Sequence, residues 1–112
     1  IMRLLRAPGG CPWDAQQTHM SIRKNLIEET YEVIEAIDKD DKELMTEELG
    51  DLLMQVVFHA QMEQEAGNFD FGDVTDGVCK KLIERHPHVF GEVQVSGVGD
   101  VLNFWDVLNR CA

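Results

Sequence analysis

The chain has 112 residues, enough for one modest core and too few for a separate regulatory module, so residues 1–112 are expected to form a single domain. Apolar residues make up 44% of it and charged residues 28%, which excludes a disordered tail. Lys and Arg number 10 against 21 Asp and Glu, and a net charge of −11 disfavours nucleic-acid polymers and anionic membrane surfaces as partners.

Met2, Leu4 and Leu5 begin a short helix that stops at Ala7-Pro8-Gly9-Gly10, and Cys11-Pro12-Trp13-Asp14 reads as loop. From Thr18 or Ser21, either of which can cap, a long helix runs to about Asp38 with one broad apolar face: Ile22, Leu26, Ile27, Thr30, Tyr31, Val33, Ile34 and Ile37. Lys39-Asp40-Asp41 supplies a turn. Asp40 and Glu43 have capping-box spacing, which predicts a second long helix from there to Ala66-Gly67-Asn68, with Gly67 as the residue that ends it. Two long helices joined by so short a turn must pack as an antiparallel hairpin. A third helix is expected from Gly72-Asp73 to Arg85 or His86, where Pro87 stops it. Residues 87–99 read as irregular, and a last amphipathic helix spans about Asp100 to Arg110. The fold class is therefore all-α, a hairpin-based bundle of about four to five helices. So much apolar helix face on so small a domain predicts a homodimer formed through helix faces.

Cys11, Cys79 and Cys111 are odd in number and contain no CxxC pair, which reads as reduced thiols. No stretch approaches the roughly 20 apolar residues of a membrane span, and the N-terminus lacks a signal-peptide pattern. A cytoplasmic location is expected. The opening Ile1-Met2 reads as a cut from something longer.

The chemistry concentrates in Glu28-Glu29-Thr30-Tyr31-Glu32 and Glu48-Leu49-Gly50-Asp51. At about 100° per residue, Glu28, Glu29 and Glu32 share one face of the first long helix, and Glu48 and Asp51 share one face of the second. Like charges at this spacing destabilise a helix by a few tenths of a kcal/mol per pair (~0.2–0.5), so a compensating cation is expected. Carboxylate oxygens are what Mg²⁺ prefers, and two residues from each helix make a four-carboxylate cradle with room for water and phosphate oxygens. The plain alternative is the solvated face of two amphipathic helices, but the acidic clusters are not interleaved with Lys and Arg as a salt-bridged surface would be. Gly50, in mid-helix at a cost of roughly 1 kcal/mol relative to Ala, is expected to permit close helix approach beside the site. A di-iron carboxylate bundle needs Glu-x-x-His pairs, and no histidine follows a Glu at that spacing.

EETYE at 28–32 and ELGD at 48–51 resemble the EExxE and ExxD motifs of the MazG nucleotide pyrophosphohydrolases. GCPWD at 10–14, DLLMQVVFHAQM at 51–62, NFDF at 68–71 and RHPHVFG at 85–91 are also similar to that family, so nearly the whole chain is covered. The resemblance implies an all-α dimer that hydrolyses nucleoside triphosphates to monophosphate and pyrophosphate with Mg²⁺, Mn²⁺ substituting. It implies Glu29, Glu32, Glu48 and Asp51 as metal ligands, with Glu28 beside them orienting water. Lys81 and Arg85, four apart, are the expected phosphate partners by spacing and by family position, with pairing to Glu84 as the surface alternative. Arg23 and Lys24 are weaker candidates. Trp13 is a candidate for stacking on a base, against a role as packing anchor. His86 and His88 are expected to shape the turn around Pro87, and Trp105 to pack the last helix.

Two positions depart from the family pattern. Asn109 stands where a Lys is frequent, and Glu84 where a second basic residue is. They motivate two alternatives: a non-catalytic dimerisation or regulatory module, and a hydrolase narrowed to one modified or uracil-bearing nucleotide.

Overall fold

The protein is described here as a computed structural model covering residues 1–111. Its order is α1 (Met2–Arg6), α2 (Pro12–Gln16), α3 (His19–Asp38), α4 (Lys42–Glu65), α5 (Phe71–Arg85), α6 (Pro87–Phe90) and α7 (Val98–Cys111), and the described residues contain no strand. The all-α class follows as expected. The two helices beyond the four or five anticipated are single turns, each opened by a proline at its first position. Pro12 and Pro87 carry the helical φ in advance and lack an N–H that would go unpaired there anyway, so CPWD and PHVF wind up instead of staying loop. The chain divides into two compact units, Ile1–Phe71 and Gly72–Ala112.

In the first unit α3 and α4 form the hairpin, and α1 packs on α2 and α4. Thr18 caps α3 by accepting from Ser21 N at 3.1 Å, while Thr18 N donates to Ser21 Oγ at 2.8 Å, so the two cap candidates are partners in one box. The second cap is a correction. Asp41, not Asp40, caps α4, accepting from Leu44 N at 3.0 Å. Asp40 sits at φ 52° and closes α3 instead, with Asp40 N on Ile37 O and Asp41 N on Ala36 O. That is the double bond pattern of a helix stop, usually made by glycine and accessible to Asp. Gly67 (φ 80°) closes α4 the same way.

The core is built on Met2, Ile22 and Phe58, with Val57 and Met62 against it. The broad apolar face read on α3 divides in two: Ile22 and Val33 are buried, while Ile27, Tyr31, Ile34 and Ile37 face solvent. Gly50 is also corrected. Open space lies where its Cβ would be, so no element approaches it. Close approach occurs at Gly10, whose Cβ would run into the carbonyl oxygens of Leu4 and Leu5.

Two polar clasps hold the open end of the hairpin. Arg6, with 9% of its side chain exposed, grips both oxygens of Glu65 at 2.8 and 3.1 Å. Its Nη1 donates to Asp14 O and Gln17 O, and the guanidinium lies 5.6 Å from the Phe58 ring centroid. One side chain thus ties α1, α2, the approach to α3 and the last turn of α4. Beside it, His19 Nδ1 and His59 Nδ1 meet at 2.6 Å with rings 5° apart, and His19 Nε2 lies 2.6 Å from Glu63 Oε1. One Nδ1 must donate to the other, so that contact holds a single proton. Burial, then charge on His19, lowers the His59 pKa.

In the second unit Trp105 Nε1 donates to Arg85 O at 2.6 Å and the His86 ring meets Trp105 edge-on at 5.3 Å, so Trp105 packs α7 on the end of α5 as expected. Asp100 accepts from Ser96 N and Oγ at 2.9 and 2.7 Å, which fastens the start of α7. Cys11 and Cys79 are free thiols, and the Cys111 side chain lies outside the described residues. No helix of the described residues is long and apolar enough to cross a membrane.

Removing Arg6 leaves three elements unfastened and Glu65 without its cation. Arg6→Ala is expected to lower stability by about 2 kcal/mol, chiefly through its part-buried hydrogen bonds to Asp14 O and Gln17 O, read by urea unfolding with an unchanged slope. A loss under about 0.5 kcal/mol would show that the clasp carries no net stability.

Candidate metal centre

The hairpin register sets the middle of α3 against the first half of α4. Glu29 and Glu32 project from α3, and Glu48 and Asp51 from α4. One carboxylate oxygen from each lies within 4.8 Å of all the others. Spacing put these four and Glu28 on the two faces, and the family resemblance implied these four as the ligands; the structure brings the four together through helices that begin and end independently of them.

Their surroundings differ. Glu48 is 8% exposed, Glu29 and Asp51 are half-buried, and Glu32 is open to solvent. Glu29 Oε2 and Glu48 Oε2 are buried with no hydrogen-bond partner. A hydrogen bond shared with Glu32, then burial, then the charges of Glu32, Asp51 and Glu29 push Glu48 up to about 7. Glu29 is raised chiefly by burial and next by the charges of Glu32 and Asp51, against a smaller opposing hydrogen bond with Glu48. Without a cation the cluster relieves its repulsion by keeping a proton.

An oxygen-only donor set, two stranded buried carboxylate oxygens and a proton retained near neutrality all fit a hard divalent cation. The four side chains offer enough oxygens to hold one while leaving coordination positions for water and phosphate. Soft or redox metals would be expected to draw on Cys or His, and the grouping contains neither.

The other expected site residues are placed as follows. Glu28 lies outside the group of four, its carboxylate 3.8 Å from Lys24 Nζ on the exposed surface of α3. Trp13 is exposed on α2, which Arg6 pins at the open end of the hairpin. Glu29 is ten residues beyond His19, about 15 Å further along α3. Lys81 is exposed on α5 in the second unit. Arg85, on the same helix, is half-buried and donates from Nη2 to Asn109 Oδ1 at 3.1 Å. Sequence reasoning missed Gln55, which is 5% exposed on the inner face of α4 with its Oε1 buried and unpartnered. Its signal was available: seven residues from Glu48, it lies on the same line of the helix.

The sequence family described as MazG nucleotide pyrophosphohydrolase domain matches residues 17–90. The nucleoside triphosphate pyrophosphohydrolase/pyrophosphatase MazG of Thermotoga maritima is 58% identical over 92 residues, covering 82% of this chain and 36% of its own length. The nucleoside triphosphate pyrophosphohydrolase of Escherichia coli (strain K12) is 50% identical over 107 residues, covering 95% of this chain and 41% of its own. An uncharacterized Bacillus subtilis protein, YabN, is 49% identical over 110 residues, 98% of this chain and 22% of its own length. The chain therefore spans well under half of these relatives. A crystal structure of a MazG-related protein from Thermotoga maritima superposes with a TM-score of 0.75 at 27% identity, over 98% of this chain and 99% of that one.

Because Glu48 titrates near 7 when folded and near 4.5 when not, the folded protein holds a proton that the unfolded chain releases between those values. The resulting stabilisation is full below 4.5 and is lost as pH rises through 7. In chelator, the melting temperature of the wild type should fall from about pH 5 to about pH 8 more steeply than that of Glu48→Gln, which cannot ionise. Parallel curves for the two proteins would remove Glu48 as the buried proton carrier.

Proposed function

The chain belongs to the MazG nucleotide pyrophosphohydrolase family, and from that premise we propose that it hydrolyses nucleoside triphosphates to nucleoside monophosphate and pyrophosphate in a Mg²⁺-dependent reaction, Mn²⁺ substituting. The observation that carries the reading is the four-carboxylate group on the α3–α4 seam, with two of its buried oxygens unpartnered. Glu29, Glu32, Glu48 and Asp51 hold the cation. When bound, a divalent cation neutralises charge on phosphate oxygens and lowers the pKa of water beside it.

The chain's own residues supply the rest. A water adds across the α,β-phosphoanhydride. Its hydroxyl goes to one phosphorus, the bridging oxygen stays with the other phosphate, and the proton released passes to a carboxylate. Glu28, next to Glu29 and outside the four, is the carboxylate we assign to orient that water and take the proton. Lys81 and Arg85 are assigned to phosphate oxygens. A guanidinium held by the neutral oxygen of Asn109 keeps its whole charge for that task. Trp13, exposed on its short helix, is assigned to stack on the base.

The same reading includes a homodimer. Ile27, Tyr31 and Ile34 on α3 form an exposed apolar stripe at helical spacing, and Leu49, Leu53 and Val56 on α4 form another. Contiguous apolar surface of this kind marks an interaction face, and a second copy of the chain covers it with matching chemistry.

Pyrophosphate release from a panel of ribo- and deoxyribonucleoside triphosphates should require Mg²⁺, stop on chelation, and fall to background in Glu32→Ala. Release undiminished in that variant would refute the site, and no release from any nucleotide would refute the activity. In sedimentation velocity the wild type should run as a dimer and Leu53→Glu as a monomer. A monomeric wild type at micromolar concentration would rule out the dimer.

A further inference from the structure

Gln55 follows Asp51 by one turn of α4 and Glu48 by two. Seven residues advance the helix by two turns less about 20°, so Gln55 leaves α4 on nearly the same line as Glu48. It is the one buried carboxamide of that line, 5% exposed, and its Oε1 has no donor. An unpartnered buried carbonyl oxygen costs about 1–3 kcal/mol, and leucine would fill a similar volume without that cost. The seam therefore keeps a polar group at a place where packing alone favours an apolar one.

The two other stranded side-chain oxygens on this seam, Glu29 Oε2 and Glu48 Oε2, belong to the cation's carboxylates. Gln55 is different because it is neutral. It adds no charge to a cluster of four carboxylates, and it cannot take a proton itself. What its oxygen can do is accept. Neighbours four apart on a helix stand about 5–6 Å apart at Cβ, so a carboxamide one turn beyond Asp51 reaches the Asp51 end of the cradle and one water there.

We propose that Gln55 is a positioning residue: its Oε1 accepts a hydrogen bond from a water at the Asp51 end of the four-carboxylate cradle and fixes that water's orientation for attack on the phosphoanhydride. The attacking proton goes to a carboxylate, not to the amide. This assignment rests on the hydrolytic reading above.

The test is Gln55→Leu in the full chain, with four measurements. The melting temperature should stay level or rise, since a stranded oxygen has gone. Mn²⁺ affinity, read by electron paramagnetic resonance, should be kept. Turnover should fall by roughly ten- to a hundredfold with KM unchanged, as misorientation of a reactant requires. Water-proton relaxation by bound Mn²⁺ should shift, because a held water has been released. Unchanged turnover overturns the proposal, and so does loss of Mn²⁺ binding, which would make Gln55 a ligand or a structural support. If the wild type hydrolyses nothing, the hydrolytic reading falls separately, and the relaxation measurement alone decides whether Gln55 holds a water.

Discussion

Four carboxylates held within 4.8 Å of one another repel, and the rest of the first unit is arranged so that they cannot separate. An isolated helix with such a face would fray or turn the face outward. Here α3 and α4 are locked at both ends. At the closed end the stop at Asp40 and the cap at Asp41 leave no slack between the helices. At the open end Arg6 and the His19–His59–Glu63 contacts hold the first turn of α3 and the last turns of α4. With register fixed outside the cluster, repulsion has two outlets, a bound cation or a retained proton. The rise of Glu48 to about 7 is the second of these.

The asymmetry within the cluster follows from where each residue meets the seam. Glu48 lies deepest and shares a hydrogen bond with Glu32, and that bond, then burial, then its neighbours' charges raise it, while Glu32 itself stays in water. A cation entering the cradle would displace the retained proton, so proton and metal would compete for one position and occupancy would strengthen as pH rises. A site with all four carboxylates exposed would bind metal with little pH dependence near neutrality and would contribute nothing to fold stability through protonation.

The parts of this arrangement that were legible in the sequence are those that depend on spacing alone. Carboxylates at i, i+3 and i+4, a turn of three residues and apolar periodicity were enough for two antiparallel helices with five carboxylates on their faces; that Glu28 stands apart from the other four came from the family resemblance and not from spacing. Features that depend on what lies across a gap were not legible. Asp40 and Asp41 are identical in chemistry, and only the left-handed turn at Asp40 decides which of them caps α4. Pro87 was read as a helix stop and Pro12 as part of a loop, because proline ends helices from inside and starts them from the first position. Gly50 was read as a contact when it faces open space, since sequence gives its cost and not its surroundings. Arg6 sits 59 residues from Glu65, and no local pattern connects them.

The apolar face of α3 shows how far one stripe can serve two masters. Ile22 and Val33 are buried, while Ile27, Tyr31 and Ile34 sit roughly a quarter turn or more away and stay exposed. A helix needing only one contact would place polar residues on that second stripe. Under the proposed dimer, α3 would be enclosed on two sides, by α4 within the chain and by the apolar surface of a second copy outside it. Helices so confined have little room to move apart when charge accumulates, which ties the proposed dimer to the geometry of the metal centre.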